Sequence, residues 1–147
     1  MASQSKLDET YMRMAEELAS LSYARRAKVG CIIVKDTHII AEGYNGTPKG
    51  FDNCCEYYNE LGEYATKQEV LHAESNAISK IARSTNSSEG ATLYVTLSPC
   101  IECTKLIIQA GITNVVYRKL CHTSGLHLLK QANIRVRKLD YAVDRKP

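Results

Sequence analysis

Apolar positions recur at helical spacing over residues 7–26, and the pattern then shifts to short runs rich in β-branched residues. Residues 29–34 form one such run and residues 38–44 a second, with Lys35, Asp36 and Thr37 between them as a turn, so the pair predicts an antiparallel hairpin. Residues 48–71 are rich in Glu, Tyr and Asn and read as a long polar loop outside the core. Ala73, Ala77, Ile78, Ile81 and Ala82 then form the buried stripe of a helix running towards Arg83. After a Ser/Asn connection at 85–90, strand-like runs at 91–97, 113–117 and 134–139 alternate with helical segments, the last of them short. That alternation implies crossover connections and a parallel half-sheet. The expected architecture is α/β: three layers, with a five-stranded mixed sheet between helices.

The chain has 147 residues, of which 44% are hydrophobic, which suits one domain over 1–147 with a core that needs no disulfides. With neither a secretory leader nor an apolar run of membrane length in the sequence, its six cysteines are expected to be reduced thiols in a cytoplasm, without membrane contact. The net charge of +3 is too mild for an extended nucleic-acid footprint. Its clusters, Arg25, Arg26 and Lys28 and then Arg135, Arg137, Lys138, Arg145 and Lys146, suit a phosphorylated small molecule.

The chemistry concentrates in two short motifs, His72-Ala73-Glu74 and Pro99-Cys100-Ile101-Glu102-Cys103. One imidazole and two thiolates leave open the fourth position of a tetrahedral zinc ion, whereas a structural site closes it with another protein ligand. The alternative, a purely structural zinc, needs such a ligand from Cys31, Cys54, Cys55, Cys121 or His122. Glu74 is left over as a carboxylate able to move protons, and the whole pattern is that of the zinc nucleobase deaminases. His72 and Glu74 stand two apart, which in a helix interior sends side chains to opposite sides, so the motif is expected to open its helix. Ser98 is the expected N-cap of the second motif helix, with Pro99 in its first turn. Two helix N-termini converging on the metal favour thiolate over thiol.

Four stretches carry a resemblance to the deoxycytidylate (dCMP) deaminases, notably the short phage and bacterial forms of the cytidine-deaminase-like superfamily: 28–34, 43–55, 72–78 and 90–112. The resemblance implies zinc held by His72, Cys100 and Cys103, and Glu74 as the proton carrier for conversion of dCMP to dUMP and ammonia, which supplies thymidylate synthesis. It also implies the Ala73 N–H on the base O2, the Ser98 carbonyl on the amino group and Asn45 on the sugar 3′-hydroxyl. The competing reading of Asn45, as a residue of an Asn-Gly pair, is that of a turn former. Arg26 and Lys28 lie close to where the family binds the 5′-phosphate; a solvated helix end accounts for the same charges. Members are typically hexamers activated by dCTP and inhibited by dTTP, with Mg2+ accompanying the triphosphate. Gly43, Tyr44, Gly46, Pro48 and Gly50 resemble the regulatory segment. Arg83 matches a basic position linked to subunit contacts and effector response, and reads equally well as a cation at a helix end.

Two departures stand out. Where many members carry a tyrosine after the fourth strand, this chain reads Cys121-His122-Thr123-Ser124. Cys54 lies where some phage relatives hold a second zinc, but its partner positions read Tyr23-Ala24-Arg25, so one zinc per chain is expected. A tRNA adenosine deaminase shares both motifs and remains an alternative, as does a noncatalytic zinc-binding interaction module.

Overall fold

The computed structural model describes residues 1–142. Arg145 and Lys146 lie outside these described residues. The first helix, α1, spans Gln4–Ala19 and starts at Ser3, whose hydroxyl accepts from the Lys6 N–H at 3.3 Å. It ends seven residues earlier than its sequence pattern suggests. Ser22, Ala24 and the residues after them run as an irregular segment, with the Ser22 hydroxyl donating to the Asn45 carbonyl at 2.8 Å.

Strands β1 (Gly30–Lys35) and β2 (His38–Tyr44) form the expected antiparallel hairpin. Asp36 and Thr37 turn it with φ of 50° and 63°, the paired left-handed conformations of a two-residue hairpin loop. The polar stretch that follows is not all loop. It contains a small hairpin, β3 (Glu56–Tyr58) with β4 (Tyr64–Thr66), and it buries Cys55 and Glu56. Alternation over three-residue strands is too brief to read from sequence.

Next come α2 (Ala73–Ala82), β5 (Thr92–Leu97), α3 (Ile101–Gln109), β6 (Asn114–Lys119), α4 (Ser124–Gln131) and β7 (Arg135–Lys138). The five-stranded sheet runs β2-β1-β5-β6-β7. Its β2-β1-β5 part is antiparallel and its β5-β6-β7 part parallel, the mixed sheet expected from the alternation.

Both faces of the central strands are apolar because both are covered. Cys31, Ile33, Leu93, Val95 and Val115 pack with Ala73, Ala77 and Ile81 of α2, Ile107 of α3 and Leu126 and Leu129 of α4. Ile32, Val34, Tyr94 and Val116 face Tyr11, Met12 and Ala15 of α1. One polar cluster interrupts this second layer. Asp8, only 2% exposed, accepts from the Tyr94 hydroxyl at 2.6 Å, Arg137 at 2.9 Å and Gln4 at 2.8 Å. The cluster ties α1 to β5 and to the far edge strand β7. Arg137 is therefore committed to the fold.

Gly43 fixes how closely the sheet approaches the first motif helix. A Cβ there would come 2.5 Å from the Ala73 carbonyl oxygen and 2.8 Å from the Ala77 nitrogen, so only glycine lets β2 lie against the backbone of α2.

Candidate metal centre

Both motif helices begin on a residue that forgoes capping. His72 occupies the N-cap position of α2 and Cys100 that of α3, each with extended backbone and neither side chain bonded to its own helix. Ser or Asp would cap better there. The side chains instead turn to each other: His72 Nδ1 lies 3.2 Å from Cys103 Sγ and 3.4 Å from Cys100 Sγ. All three donor atoms fall within 4.8 Å of one another, the one such cluster among the described residues. Around a tetrahedral zinc with ordinary bond lengths, N–S edges are about 3.6 Å and S–S edges about 3.8 Å, so the donor set fits that ion with little adjustment.

Cys100, not Ser98, is thus the cap residue of α3, and Pro99 precedes the helix instead of standing in its first turn. Ser98 has a different task. Its buried hydroxyl accepts from the N–H groups of Cys121 and His122 at 2.7 and 2.8 Å and donates to the His122 carbonyl at 3.0 Å. It thereby pins the loop after β6 beside the metal centre.

Glu74 sits in the first turn of α2, 4% exposed, beside the Cys103 thiol. Burial pushes its carboxyl up to about 7, against the opposing pull of its own backbone N–H and that thiol. Burial, the Glu74 carboxylate and Cys100 together push the Cys103 thiol up. Bound zinc reverses that preference, because a coordinating thiol is held as thiolate.

The centre lies in a cavity of about 410 Å³, within the size range of small-molecule sites. His72, Ala73, Glu74, Ser98 and Cys100 line the metal side, with Cys121 and His122 forming a further wall. Ala73 opens α2, so its N–H has no acceptor within the helix. The remaining walls carry Arg26, Asn45, Glu56 and Thr66.

The Asn45 side chain accepts from the Val29 N–H at 2.9 Å and donates to the Ala27 carbonyl at 2.8 Å, binding the segment before β1 to the end of β2. Its amide keeps a second N–H for a ligand. Arg26 lines the cavity, whereas Lys28 is exposed and outside its lining. Glu56 and Thr66 were missed because their hairpin was read as loop. A Glu beside two cysteines in a polar stretch carries no periodic signal.

The regulatory residues expected from sequence do not stay together. Tyr44 and Gly46 line an adjoining cavity of about 260 Å³ with Lys49, Asn53, Asn76 and Lys80, and Asn45 is shared with the metal cavity. Gly43 is buried in packing, Pro48 and Gly50 are outside that lining, and Arg83 is the C-cap of α2. A larger groove of about 750 Å³ between α1 and the β1–β2 edge, with Met14, Leu21 and Ile39, lies on the opposite sheet face from the motif helices. No helix among the described residues is long and apolar enough to cross a membrane.

Residues 5–119 match the family model of the cytidine and deoxycytidylate deaminase zinc-binding region. The deoxycytidylate deaminase of enterobacteria phage T4 is 36% identical over 146 residues, covering 74% of this chain and 75% of that protein. The yeast deoxycytidylate deaminase is also 36% identical, over 91% of this chain, which spans only 45% of the yeast protein's length. Among solved structures, the dCMP deaminase of cyanophage S-TIM5 in complex with dCMP and dUMP superposes with a TM-score of 0.87 at 44% identity, covering 94% of this chain and 100% of that one. A tRNA A34 deaminase at 22% identity and TM-score 0.61 shares the fold.

Proposed function

The chain belongs to the cytidine and deoxycytidylate deaminase family, and we propose that it hydrolyses dCMP to dUMP and ammonia at the His72, Cys100 and Cys103 centre. The observation that carries this reading is Glu74: buried in the lining of the cavity, beside Cys103, and outside the three converging donor atoms. A structural site has no use for such a group. Zinc held there supplies the Lewis acid that brings the pKa of a water down to about 7.

Glu74 accepts the proton of the attacking water and delivers it to N3 of the cytosine ring. Water oxygen adds to C4. Glu74 then takes the second proton from the oxygen now on C4 and passes it to the amino group, so that the C4=O bond forms as the C4–N bond breaks and ammonia leaves. The Ala73 N–H orients the ring through O2, and the Ser98 carbonyl accepts from the amino group and steers it as it departs. Asn45 offers its remaining N–H to the 3′-hydroxyl, and Arg26 meets the 5′-phosphate.

The finer reading extends to control. The Tyr44 and Gly46 cavity, with Lys49 and Lys80, suits a triphosphate effector with its Mg2+. Activation by dCTP, inhibition by dTTP and a hexameric assembly are part of this proposal, as is a role in supplying dUMP for thymidylate. Ammonia release from dCMP, CMP, deoxycytidine, dCTP and an adenosine-bearing tRNA loop, each with and without dCTP or dTTP, tests it. The reading expects dCMP to be preferred by far. Preference for the tRNA loop, or no turnover of any of the five, would overturn it.

A further inference from the structure

The hairpin missed in the sequence docks on the cavity through one residue pair. Glu56 and Thr66 are direct partners across β3–β4, so their side chains share one face. Glu56, 5% exposed, accepts at Oε2 from the backbone N–H of Arg25 at 2.8 Å and of Arg26 at 3.1 Å. Thr66 Oγ1 accepts from Arg26 Nη1 at 3.3 Å. One cross-strand pair therefore holds the same arginine at both ends, backbone and guanidinium. All three residues line the metal cavity.

No carboxylate stands within salt-bridge distance of the Arg26 guanidinium among the described residues. Its neighbour at that end is a neutral hydroxyl, which aims the charge without neutralising it. Residues 25 and 26 belong to neither α1 nor β1, so nothing in regular structure fixes their backbone. The two bonds to Glu56 do. An isolated two-stranded hairpin is marginal in water, and the dependence runs both ways: the hairpin is anchored by the segment it orders.

We infer that the β3–β4 hairpin is a specificity element that presets Arg26 for the 5′-phosphate, with Glu56 and Thr66 as its positioning residues. This rests on the reading of Arg26 as the phosphate contact. Glu56 touches the backbone of Arg26, so its removal disorders the cation without touching the metal or Glu74. The effect falls on KM for a phosphorylated substrate. A nucleoside lacking the phosphate is indifferent to it.

The test is steady-state deamination of dCMP and deoxycytidine by zinc-replete protein, with Glu56→Ala, Glu56→Gln, Thr66→Val, Thr66→Ser and Arg26→Ala, alone and combined. Glu56→Ala raises the dCMP KM by about tenfold and Thr66→Val by about two- to threefold, while kcat and the deoxycytidine reaction change less than about twofold. Thr66→Ser, which keeps the hydroxyl, and Glu56→Gln, which keeps an acceptor, restore most of the loss. In an Arg26→Ala background the hairpin substitutions have no further effect on dCMP. If Glu56→Ala does not fold, judged by zinc content and melting, the exposed Thr66 pair of variants decides. Equal losses on both substrates, or undiminished hairpin effects without Arg26, would overturn the inference. A dCMP preference lost in Arg26→Ala but intact in both hairpin variants overturns the clamp alone. A preference untouched by Arg26→Ala overturns the phosphate assignment beneath it.

Discussion

Replacing Ser98 by Ala removes one hydroxyl from the wall of the cavity and three hydrogen bonds with it. Two are donated by the backbone N–H groups of Cys121 and His122, and the third is given to the His122 carbonyl. Neutral bonds of this kind contribute a net of about 0.5–1.5 kcal/mol each, and buried donors left unpaired cost more. Cys121 and His122 are themselves exposed, so water reaches part of the loop and offsets some of the loss. About 2–3 kcal/mol is the expected destabilisation, which for a chain of this length corresponds to a fall in melting temperature of about 4–12 °C. The loop forms a wall of the cavity, so kcat/KM for dCMP should also fall, by about tenfold or more, with zinc content unchanged. Differential scanning calorimetry, metal analysis and steady-state kinetics on Ser98→Ala check this together. A melting temperature within about 1 °C of the parent would refute the reasoning.

Three further outcomes follow from other parts of the fold. Gly43→Ala should cost about 1–3 kcal/mol through overpacking against α2, whereas Gly46→Ala, whose Cβ meets nothing within 4 Å, should stay within about 0.5 kcal/mol of the parent in urea denaturation. Burial raises the Asp8 carboxyl, but bonds from Arg137, Tyr94 and Gln4 outweigh it and hold it below the ordinary 3.8. The stability this gives is therefore present above pH 3.8 and lost as pH falls through the lower folded value. Asp8→Asn should melt well below the parent at pH 7 and close the gap in stronger acid; a constant gap would show that charge plays no part. Cys103→Ala should lose zinc and melt as low as the chelated parent, because metal binding orders both helix starts; full metal occupancy in this variant would exclude Cys103 as a ligand.

Much of this arrangement was legible in the residue pattern, for physical reasons that also mark its limits. The doubly apolar strands β1, β5 and β6 and the stripe of α2 are long periodic signals, and they gave the mixed sheet and its helices. His72 with Cys100 and Cys103 was legible because zinc coordination restricts residue type and spacing together. The end of α1 was not. Leu21 and Ala24 continue the helical spacing, and only tertiary bonds, Ser22 to Asn45 and Glu56 to the Arg25 and Arg26 amides, draw the chain away. Ser98 looked like a cap by residue type, yet its hydroxyl serves a loop more than twenty residues distant in sequence. The wall that carries Arg26 was illegible because Glu56 and Thr66 come from three-residue strands in a polar stretch.

Glu74→Gln tests the central claim most directly, because it changes the proton carrier and leaves all three donor atoms in place. Zinc and dUMP formation are measured on the same preparation. The account predicts about one zinc per chain, as in the parent, with turnover of dCMP lowered by at least about a thousandfold, since one residue serves several proton transfers that are each worth about 10²–10⁴. Retained zinc with turnover within about tenfold of the parent would contradict it.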